Sequence, residues 1–416
     1  MKFTSHFIKT KRTVDQEIES VNGRLLTQGG FIHQEVAGAY SYLPLGLRVL
    51  NNIEAIIRKH MDTIASEIFM TSLHPRSIWE TTERIDTVDV LMETQGANKL
   101  SKEKNSTSYI LGSTHEEMVT PLVQSFTQSY RELPMYVYQI QTKFRNEARA
   151  KSGLLRGREF RMKDLYSFSR SQAELMEYYE VAKKVYMDIY QELGIGSDTF
   201  VTLASGGDFT KDFSHEFQVL LESGEDTIYL DRANNIAYNK EVVNEENSQK
   251  LGVDFAKLEE VKASEVGNIF PLGTKFSKAF GFTYTDDAGK EDLVWMGSYG
   301  IGPSRLMGVL VEKFHDDKGM AWPENVAPYK YHLVTLAKTT DDESYKASLE
   351  LYEKLKGQVL WDDRFEARMG EKLNDADLIG CPVRLVISEK SLAAGGVELK
   401  MRSESEAKIV PITSVV

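Results

Sequence analysis

Cysteine is almost missing from this chain of 416 residues, since Cys381 is the single example. One thiol forms no intrachain disulfide and builds no cysteine-rich zinc site. The lack of structural disulfides is typical of proteins in a reducing cytosol. The sequence therefore predicts a cytoplasmic protein without zinc.

Long hydrophobic runs are missing as well. No apolar stretch approaches the roughly 18 residues that cross a bilayer, and the opening residues 1–6, MKFTSH, lack the apolar centre of a signal peptide. We therefore expect no membrane partner. The length suggests roughly two or three domains, and hydrophobic and charged contents of 41% and 27% are those of an ordinary globular protein.

Positive charge is in deficit, because 50 Lys and Arg stand against 62 Asp and Glu, a net charge of −12. Such a chain does not attract nucleic acid over its whole surface, but it can do so where positive charge is concentrated. Residues 143–163 are the exception, with eight basic and two acidic side chains, or 8 − 2 = +6. The ten are Lys143, Arg145, Glu147, Arg149, Lys151, Arg156, Arg158, Glu159, Arg161 and Lys163.

This basic stretch has the pattern of a β-hairpin: a strand over 136–144, a loop centred on Lys151–Gly153, and a return strand over 158–168. Two apart on a strand, Arg145 and Glu147 would share a face. Arginine makes forked contacts to phosphate, a carboxylate accepts from an adenine amino group, and an aromatic ring stacks on a base. A nucleoside triphosphate is the predicted ligand; a merely solvated hairpin is the alternative.

Two further segments can carry chemistry. Residues 295–308, WMGSYGIGPSRLMG, predict a strand, a glycine-rich turn at Gly300 and Gly302, and a helix whose first turn carries Arg305. Residues 112–117, GSTHEE, predict a turn leading into a helix, where Thr114 and Glu116 could hold an amino group. Taken alone, each segment is equally an ordinary helix start.

Elsewhere the pattern predicts a helix over 43–64, a short buried strand over 67–73 and a capped helix over 171–193. Residues 231–265 are polar and weakly patterned, so we expect a surface insertion or linker there. Strands and helices alternate after Pro328, which predicts a separate small α/β domain. Residues 99–103, KLSKE, are similar to the signature loop of class I synthetases, but no His-x-Gly-His partner exists and a solvated loop is favoured.

Together, and in this order, the three chemical segments resemble the class II aminoacyl-tRNA synthetases, with motif 2 at 144–160 and motif 3 at 300–305. The segments REFRMKDLYSF (158–168), SHEFQV (214–219), GNIFPLGTKFS (267–277) and DDR (362–364) resemble the prolyl-tRNA synthetases of the bacterial type. The implied fold class is α/β (α+β), with an antiparallel-sheet catalytic domain and a small C-terminal anticodon-binding domain. The implied division is catalytic residues 1–230 and 266–327, a short insertion at 231–265, and anticodon-binding residues 328–416.

The resemblance also implies a reaction, in which ATP with Mg²⁺ activates proline and the prolyl group passes to tRNA(Pro). The catalytic residues would be Arg145 and Arg305. ATP would be bound by Arg145, Glu147, Arg156, Phe160, Gly300, Gly302 and Arg305. Proline would be bound by Thr114, Glu116, Arg145, Met162, Asp164, Tyr166 and Phe270. Anticodon bases would be read by Asp362, Asp363 and Arg364.

Several points stay open at this level. No residue is assigned to Mg²⁺: His215 and Glu216 are candidates, but they are equally a hydrogen-bonded pair at a helix start. The basic stretch as a whole would face ATP and the tRNA acceptor end. Family members form homodimers through motif 1, and many carry an editing domain where this chain has only 231–265, so we expect a homodimer without editing in cis. The alternatives are a paralogue that loads a non-tRNA acceptor and a non-catalytic tRNA-binding relative.

Overall fold

The computed structural model describes residues 1–14, 18–127, 129–150 and 152–415. Its helices are α1 Val21–Gln28, α2 Pro44–Met61, α3 Arg76–Thr81, α4 Lys99–Lys104, α5 Glu116–Gln124, α6 Gln172–Glu192, α7 Glu245–Leu251, α8 Lys275–Phe280, α9 Pro303–Lys313, α10 Glu343–Lys354, α11 Met369–Ile379 and α12 Glu389–Ala393. Its strands are β1 Ile32–Val36, β2 Ala39–Tyr42, β3 Ser66–Glu67, β4 Leu73–Pro75, β5 Met92–Thr94, β6 Tyr109–Leu111, β7 Met135–Phe144, β8 Glu159–Ser169, β9 Thr199–Ala204, β10 Ser214–Leu220, β11 Asp226–Asp231, β12 Ile236–Asn239, β13 Glu259–Gly273, β14 Thr283–Thr285, β15 Glu291–Leu293, β16 Trp295–Ile301, β17 His315–Asp316, β18 Gly319–Met320, β19 Tyr331–Leu336, β20 Val359–Asp362, β21 Val383–Ser388, β22 Val397–Met401 and β23 Lys408–Val410.

The central feature is a nine-stranded sheet with the order β10-β9-β12-β11-β13-β16-β8-β7-β3. Its middle is antiparallel: β13 pairs with β16, β16 with β8, and β8 with β7. The predicted hairpin is confirmed, because β7 and β8 pair continuously from Met135–Phe168 to Phe144–Glu159. Of the connecting loop, Lys151 lies outside the described residues.

Helices cover one face of this sheet and bury the main hydrophobic core. Helix α2 begins at Pro44 and follows the predicted apolar steps, so that Leu50, Ile53 and Ile57 are buried. Helix α6 is capped by Ser171, whose side chain accepts a hydrogen bond from the Glu174 amide, and packs behind β8, β13 and β16. These contacts leave the other face of the central strands free to build a site.

The expected buried strand over 67–73 is wrong. The chain forms only the short strand β3 and then β4, and between them Phe69 is 76% exposed. Met70 is buried and exposure alternates along 67–75, but residues 68–72 belong to neither strand. Residues 99–103, expected to be a loop, lie in the exposed helix α4, which Asn98 caps.

Residues 231–265 are not the irregular linker that their polar sequence suggests. They contain β12 and α7, and from Glu259 they run into the 15-residue strand β13. That strand pairs with β10, β11 and β16. An extra residue in β13, Val266, lies opposite the step from Phe217 to Gln218 and interrupts the alternation of this strand.

The C-terminal region forms a second sheet with the order β20-β19-β21-β22-β23. Parallel pairing of β19 with β20 and β21 goes with crossovers through α10 and α11. This confirms the small α/β arrangement expected after Pro328. Among the described residues, no helix combines the length and apolar character needed to cross a membrane.

Candidate active site

One row of residues crosses five strands on the face of the sheet opposite α6. Cross-strand pairing aligns Gln139, Asp164, Gly300, Asn268 and Glu216. The next row joins Tyr166, Ser298 and Phe270. Because successive strand residues alternate between faces, the candidate residues of β8 with even numbers all lie on this face.

The same alternation divides the basic stretch, which corrects the expectation that all of it faces the ligand. Arg161 points to the helical side, where its Nε lies 2.8 Å from Glu54 Oε1 of α2. Lys163 is buried there as well and donates to the Tyr186 hydroxyl of α6 and, at 3.1 Å, to the Tyr299 carbonyl. Burial lowers the pKa of Lys163. Two of the eight basic residues therefore support the fold instead of the site.

Most of the predicted ATP-binding residues line one cavity. Its walls include Arg145, Glu147, Arg156, Phe160, Gly302 and Arg305, together with Met162, Glu265 and Asn268. Gly300 lies beside this cavity on the Asp164 row; a Cβ there would come within 2.6 Å of Met162 Cε and 2.9 Å of Asn268 Oδ1. A side chain at Gly300 would therefore displace the ends of the Met162 and Asn268 side chains.

Two guanidinium groups approach each other in this cavity. Arg145 lies with its Cζ 5.2 Å from the centre of the Phe160 ring and donates weakly, at 3.4 Å, to the Ser113 carbonyl. Burial and the nearby positive charge of Arg305 lower the pKa of Arg145. Arg305 is anchored by the Leu155 carbonyl at 2.8 Å and by the Glu265 carbonyl at 3.0 Å. Converging like charges are favourable for binding a polyanion.

Arg145 and Glu147 reach the cavity for a reason that the sequence did not show. Both lie beyond the end of β7, so the argument from a shared strand face is wrong. A turn in which the Glu147 amide donates to the Arg145 carbonyl at 2.8 Å brings them together. Arg156 then lies with its Nε 2.9 Å from Glu147 Oε2, from across the loop.

A second group of residues surrounds the buried carboxylate of Glu116, which is 1% exposed. Ser298 Oγ donates to Glu116 Oε1 at 2.8 Å, and the Thr114 hydroxyl donates to Oε2. The His115 amide donates to the Tyr166 hydroxyl at 3.2 Å. Thr114 and Glu116 are therefore brought next to Tyr166, at the start of α5.

Below Glu116, Asp164 is held by buried polar groups. The Lys143 ammonium contacts both Asp164 Oδ2 and His115 Nδ1, and Gln139 Nε2 donates to Asp164 Oδ2 at 3.0 Å. Burial first, and then the Lys143 charge, lower the pKa of His115, so this ring is neutral and accepts at Nδ1. Phe270 lies on the same face and packs on Phe209, with ring centres 4.7 Å apart.

Sequence reasoning missed several of these side chains. The sequence assigns no function to Gln139, Lys143, His115, Asn268, Glu265 and Ser298, although they lie in or beside the site. Strand alternation would have found Gln139 and Lys143, because they pair with Asp164 and Phe160 in the predicted hairpin. Glu265 has no such signal, because the polar sequence of 259–265 does not predict a strand.

The two residues considered for Mg²⁺ binding, His215 and Glu216, lie on opposite faces of the sheet. His215 and Glu216 lie on β10, not at a helix start, and so point to opposite faces. His215 Nδ1 is 2.8 Å from the Tyr179 hydroxyl of α6, while Glu216 lies on the site face. Burial and the nearby carboxylate of Glu265 raise the pKa of Glu216 to about 8. Within the part of the chain that the structure describes, no three His, Cys, Asp or Glu side chains are grouped to hold a metal ion.

The predicted anticodon residues are mostly engaged inside the protein. Asp362 is fully buried and accepts from Arg364 at 2.9 and 2.6 Å. Asp363 is 7% exposed and accepts from the amide and hydroxyl of Thr4 at 3.0 and 2.6 Å. Direct base contact by either aspartate does not agree with this burial. Arg364 retains 23% side-chain exposure.

Comparison with known proteins decides the family. Residues 99–314 match the tRNA synthetase class II core domain (G, H, P, S and T), and residues 330–416 match the anticodon binding domain. The chain is 35% identical over 431 residues to the proline--tRNA ligase of Wolbachia sp. subsp. Drosophila simulans, covering 100% of this chain and 99% of that protein. The chain belongs to the proline--tRNA ligase family. The proline--tRNA ligase of Methylobacterium sp. is 36% identical over 440 residues, covering 99% and 97%.

Solved prolyl-tRNA synthetases share the fold. One from Cryptosporidium parvum, complexed with L-proline and AMP, has a TM-score of 0.75 at 18% identity and covers 95% of this chain and 72% of that one. One from Giardia lamblia, in complex with prolyl-adenylate, has a TM-score of 0.76 at 19% identity, covering 94% and 74%. As a proline--tRNA ligase, the chain is a class II aminoacyl-tRNA synthetase that activates proline and charges tRNA.

Proposed function

We propose that the cavity lined by Arg145, Phe160 and Arg305 binds ATP and that the adjoining group around Glu116 binds proline. The supporting observation is that Arg145 lies between the two. Its guanidinium is in the cavity, yet it also contacts the carbonyl of Ser113, the residue before Thr114. A residue in this place can hold the α-phosphate of ATP and the proline carboxylate at once.

The chemistry asks mainly for positioning. A carboxylate oxygen of proline attacks the α-phosphorus, the bond to the bridging oxygen breaks, and pyrophosphate leaves. The terminal ribose hydroxyl of tRNA(Pro) then attacks the prolyl carbonyl, and AMP leaves. Arg145 would stabilise the charge that develops on the α-phosphate, and Arg305 would hold the outer phosphates.

The other residues of the cavity would orient the nucleotide. Phe160 would stack on adenine, and Glu147 would accept from its amino group. Arg156 would contact the outer phosphates, either by breaking its ion pair with Glu147 or while keeping it. Gly300 and Gly302 would let the backbone approach the ligand closely.

For proline, the acceptors are already in place. Glu116 would accept from the imino group, and Thr114 would turn its hydroxyl towards the same group. Met162, Asp164, Tyr166 and Phe270 would line the ring, since they lie on the same face of β8 and β13.

The Mg²⁺ that accompanies ATP would be contacted by Glu216 and Glu265. Gln218, which pairs with Glu265 across the strands, donates to Glu216 Oε2 at 2.8 Å. Burial and the mutual repulsion of the two carboxylates disfavour ionisation of Glu216. A divalent cation carried in with the triphosphate would relieve this repulsion.

We also propose a homodimer in the cytoplasm. Leu47 of α2 is 48% exposed and Phe69 is 76% exposed, and we expect the interface to cover these apolar side chains. Sedimentation of the full chain tests this proposal: a mass of one chain at micromolar concentration would contradict it.

Editing in cis is not expected. The segment 231–265 forms β12, α7 and the start of β13, and β13 belongs to the central sheet. Little chain is left there for a second hydrolytic site. Deacylation of alanyl-tRNA(Pro) by the purified protein tests this, and rapid hydrolysis would refute it.

The roles of the site residues are tested by proline-dependent ATP–pyrophosphate exchange combined with charging of tRNA(Pro). Exchange reports on the ATP and proline sites without tRNA, whereas charging also needs the anticodon-binding domain. We expect substitutions in the cavity to reduce both. A cavity variant with normal exchange would contradict the assignment of that residue.

A further inference from the structure

The first residues of the chain pack against the anticodon-binding domain, at the opposite end of the sequence. Lys2 forms a parallel β-bridge with Trp361, and the Phe3 amide donates to the Trp361 carbonyl at 2.9 Å. Strand β20, which carries Trp361, is the outer strand of its sheet. This segment therefore covers an edge that would otherwise be open.

The same segment holds the loop that contains Arg364. Thr4 bonds to Asp363 through its amide and hydroxyl, at 3.0 and 2.6 Å. The ring of Phe3 lies under the Arg364 guanidinium, 4.7 Å from Cζ to the ring centre.

A second threonine, Thr10, positions Arg364 indirectly, through the carboxylate of Asp375. Thr10 Oγ1 donates to Asp375 Oδ1 at 2.8 Å, and Arg364 Nη2 donates to Asp375 Oδ2 at 2.7 Å. Thr10 thus fixes a carboxylate that in turn fixes Arg364. Two residues near the start of the chain therefore position the Arg364 guanidinium: Phe3 through its ring and Thr10 through Asp375.

The segment also adds positive charge beside this loop. Lys11 and Arg12 line a cavity with Lys318 and Arg368, and Arg368 directly precedes helix α11. The acidic side chains in the lining are Glu371 and Asp375. Four cationic side chains thus stand against two acidic ones, of which Glu371 lies 3.8 Å from Arg12 and Asp375 shares Arg364 with Asp362.

We propose that residues 2–12 complete the tRNA-binding site of the anticodon-binding domain. Thr4 and Thr10 are positioning residues for Arg364, and Lys11 and Arg12 contact the phosphate backbone of tRNA(Pro). This proposal rests on the contact with the tRNA anticodon that the family resemblance implies for Arg364.

The positioning role is tested with the double variant Thr4→Val/Thr10→Val in the full chain. We expect KM for tRNA(Pro) to rise about threefold to tenfold with little change in kcat, because two hydrogen bonds that position Arg364 are lost. Thr4→Ser/Thr10→Ser, which keeps both hydroxyls, should restore KM. Ser5→Ala is the matched control, because that hydroxyl contacts only the neighbouring His6 in the described bonds.

The outcomes separate this proposal from the one it rests on. If Arg364→Ala raises KM for tRNA(Pro) and the valine variant does not, the role of residues 2–12 is refuted while that of Arg364 stands. If Arg364→Ala has no effect, the proposed anticodon role itself fails. A parallel loss of ATP–pyrophosphate exchange in the valine variant would show a general structural effect and would overturn the proposal.

The charge role is tested by salt dependence. Binding of tRNA(Pro) by Lys11→Ala/Arg12→Ala should weaken, and the slope of log Kd against log salt should fall by about 1 to 2, since each lost phosphate contact removes about 0.7 to 0.9. An unchanged slope would exclude phosphate contacts by these two residues.

Discussion

Lys143 and Asp164 form a buried ion pair at the floor of the proposed proline site, with side-chain exposures of 1% and 8%. They lie on the neighbouring strands β7 and β8, and the same ammonium also contacts His115 Nδ1. The pair thus connects the α5 segment, which carries Glu116, with the strand that lines the site.

Replacing Lys143 with Met should strongly destabilise the protein. A buried carboxylate would be left without its cation, which typically costs about 3–5 kcal/mol. We expect Lys143→Met/Asp164→Asn to be more stable than Lys143→Met alone, because the double variant has no unpaired charge. Denaturant unfolding of the unchanged protein, of Lys143→Met, of Asp164→Asn and of the double variant measures this coupling. A loss of unfolding free energy in the double variant equal to the sum of the two single losses would show that the pair is not coupled.

Arg145→Ala should reduce proline-dependent ATP–pyrophosphate exchange by about a hundredfold or more, as when one donor to a developing charge is removed. Arg149→Ala in the same loop is the matched control, since Arg149 is exposed and does not line the cavity in the described structure. Exchange by Arg145→Ala within a few-fold of the unchanged protein would refute the assignment.

The pairing of Arg156 with Glu147 predicts a selective effect on ATP. Both line the cavity, and their side chains meet at 2.9 Å. Arg156→Ala should raise KM for ATP about tenfold, through the loss of a charged contact to phosphate, and should leave KM for proline nearly unchanged. Steady-state exchange with each substrate varied in turn separates the two constants. A rise only in KM for proline would instead place Arg156 in the proline-binding part of the site.

Much of the site could be predicted because strands and motifs are local. The hairpin of β7 and β8 and the glycine-rich turn before α9 are each encoded in short segments, so Phe160 and Arg305 were found from sequence. The face of each residue follows from alternation alone once the strands are known.

Other features depend on long-range pairing. Glu265 enters the site because β13 joins three other strands, which the polar composition of 259–265 does not indicate. Asp362 and Asp363 have the sequence of an exposed loop, yet the first residues of the chain and Arg364 bury them. A sequence pattern cannot show a partner that lies about 360 positions away, as Thr4 does from Asp363.

His332, on β19, predicts a pH dependence of stability. It is 1% exposed, neither ring nitrogen has a hydrogen-bond partner among the described residues, and burial lowers its pKa from 6.5 to about 4. Below pH 6.5 the unfolded chain binds a proton that the folded protein does not. The contribution of neutral His332 to the free energy of unfolding is therefore fully present above pH 6.5 and is lost as the pH falls towards 4. At pH 5 the loss is about 2 kcal/mol.

The replacement His332→Leu, similar in size, should remove this loss. The difference in unfolding free energy between pH 7.5 and pH 5 should become smaller by about 2 kcal/mol. His33→Leu is the control, since His33 is exposed on β1. Because His74 and the half-buried His215 also have a lowered pKa, about 4 for each, the variant should keep part of the pH dependence. An unchanged difference between the two pH values would mean that His332 gains its proton as easily in the folded protein as in the unfolded chain.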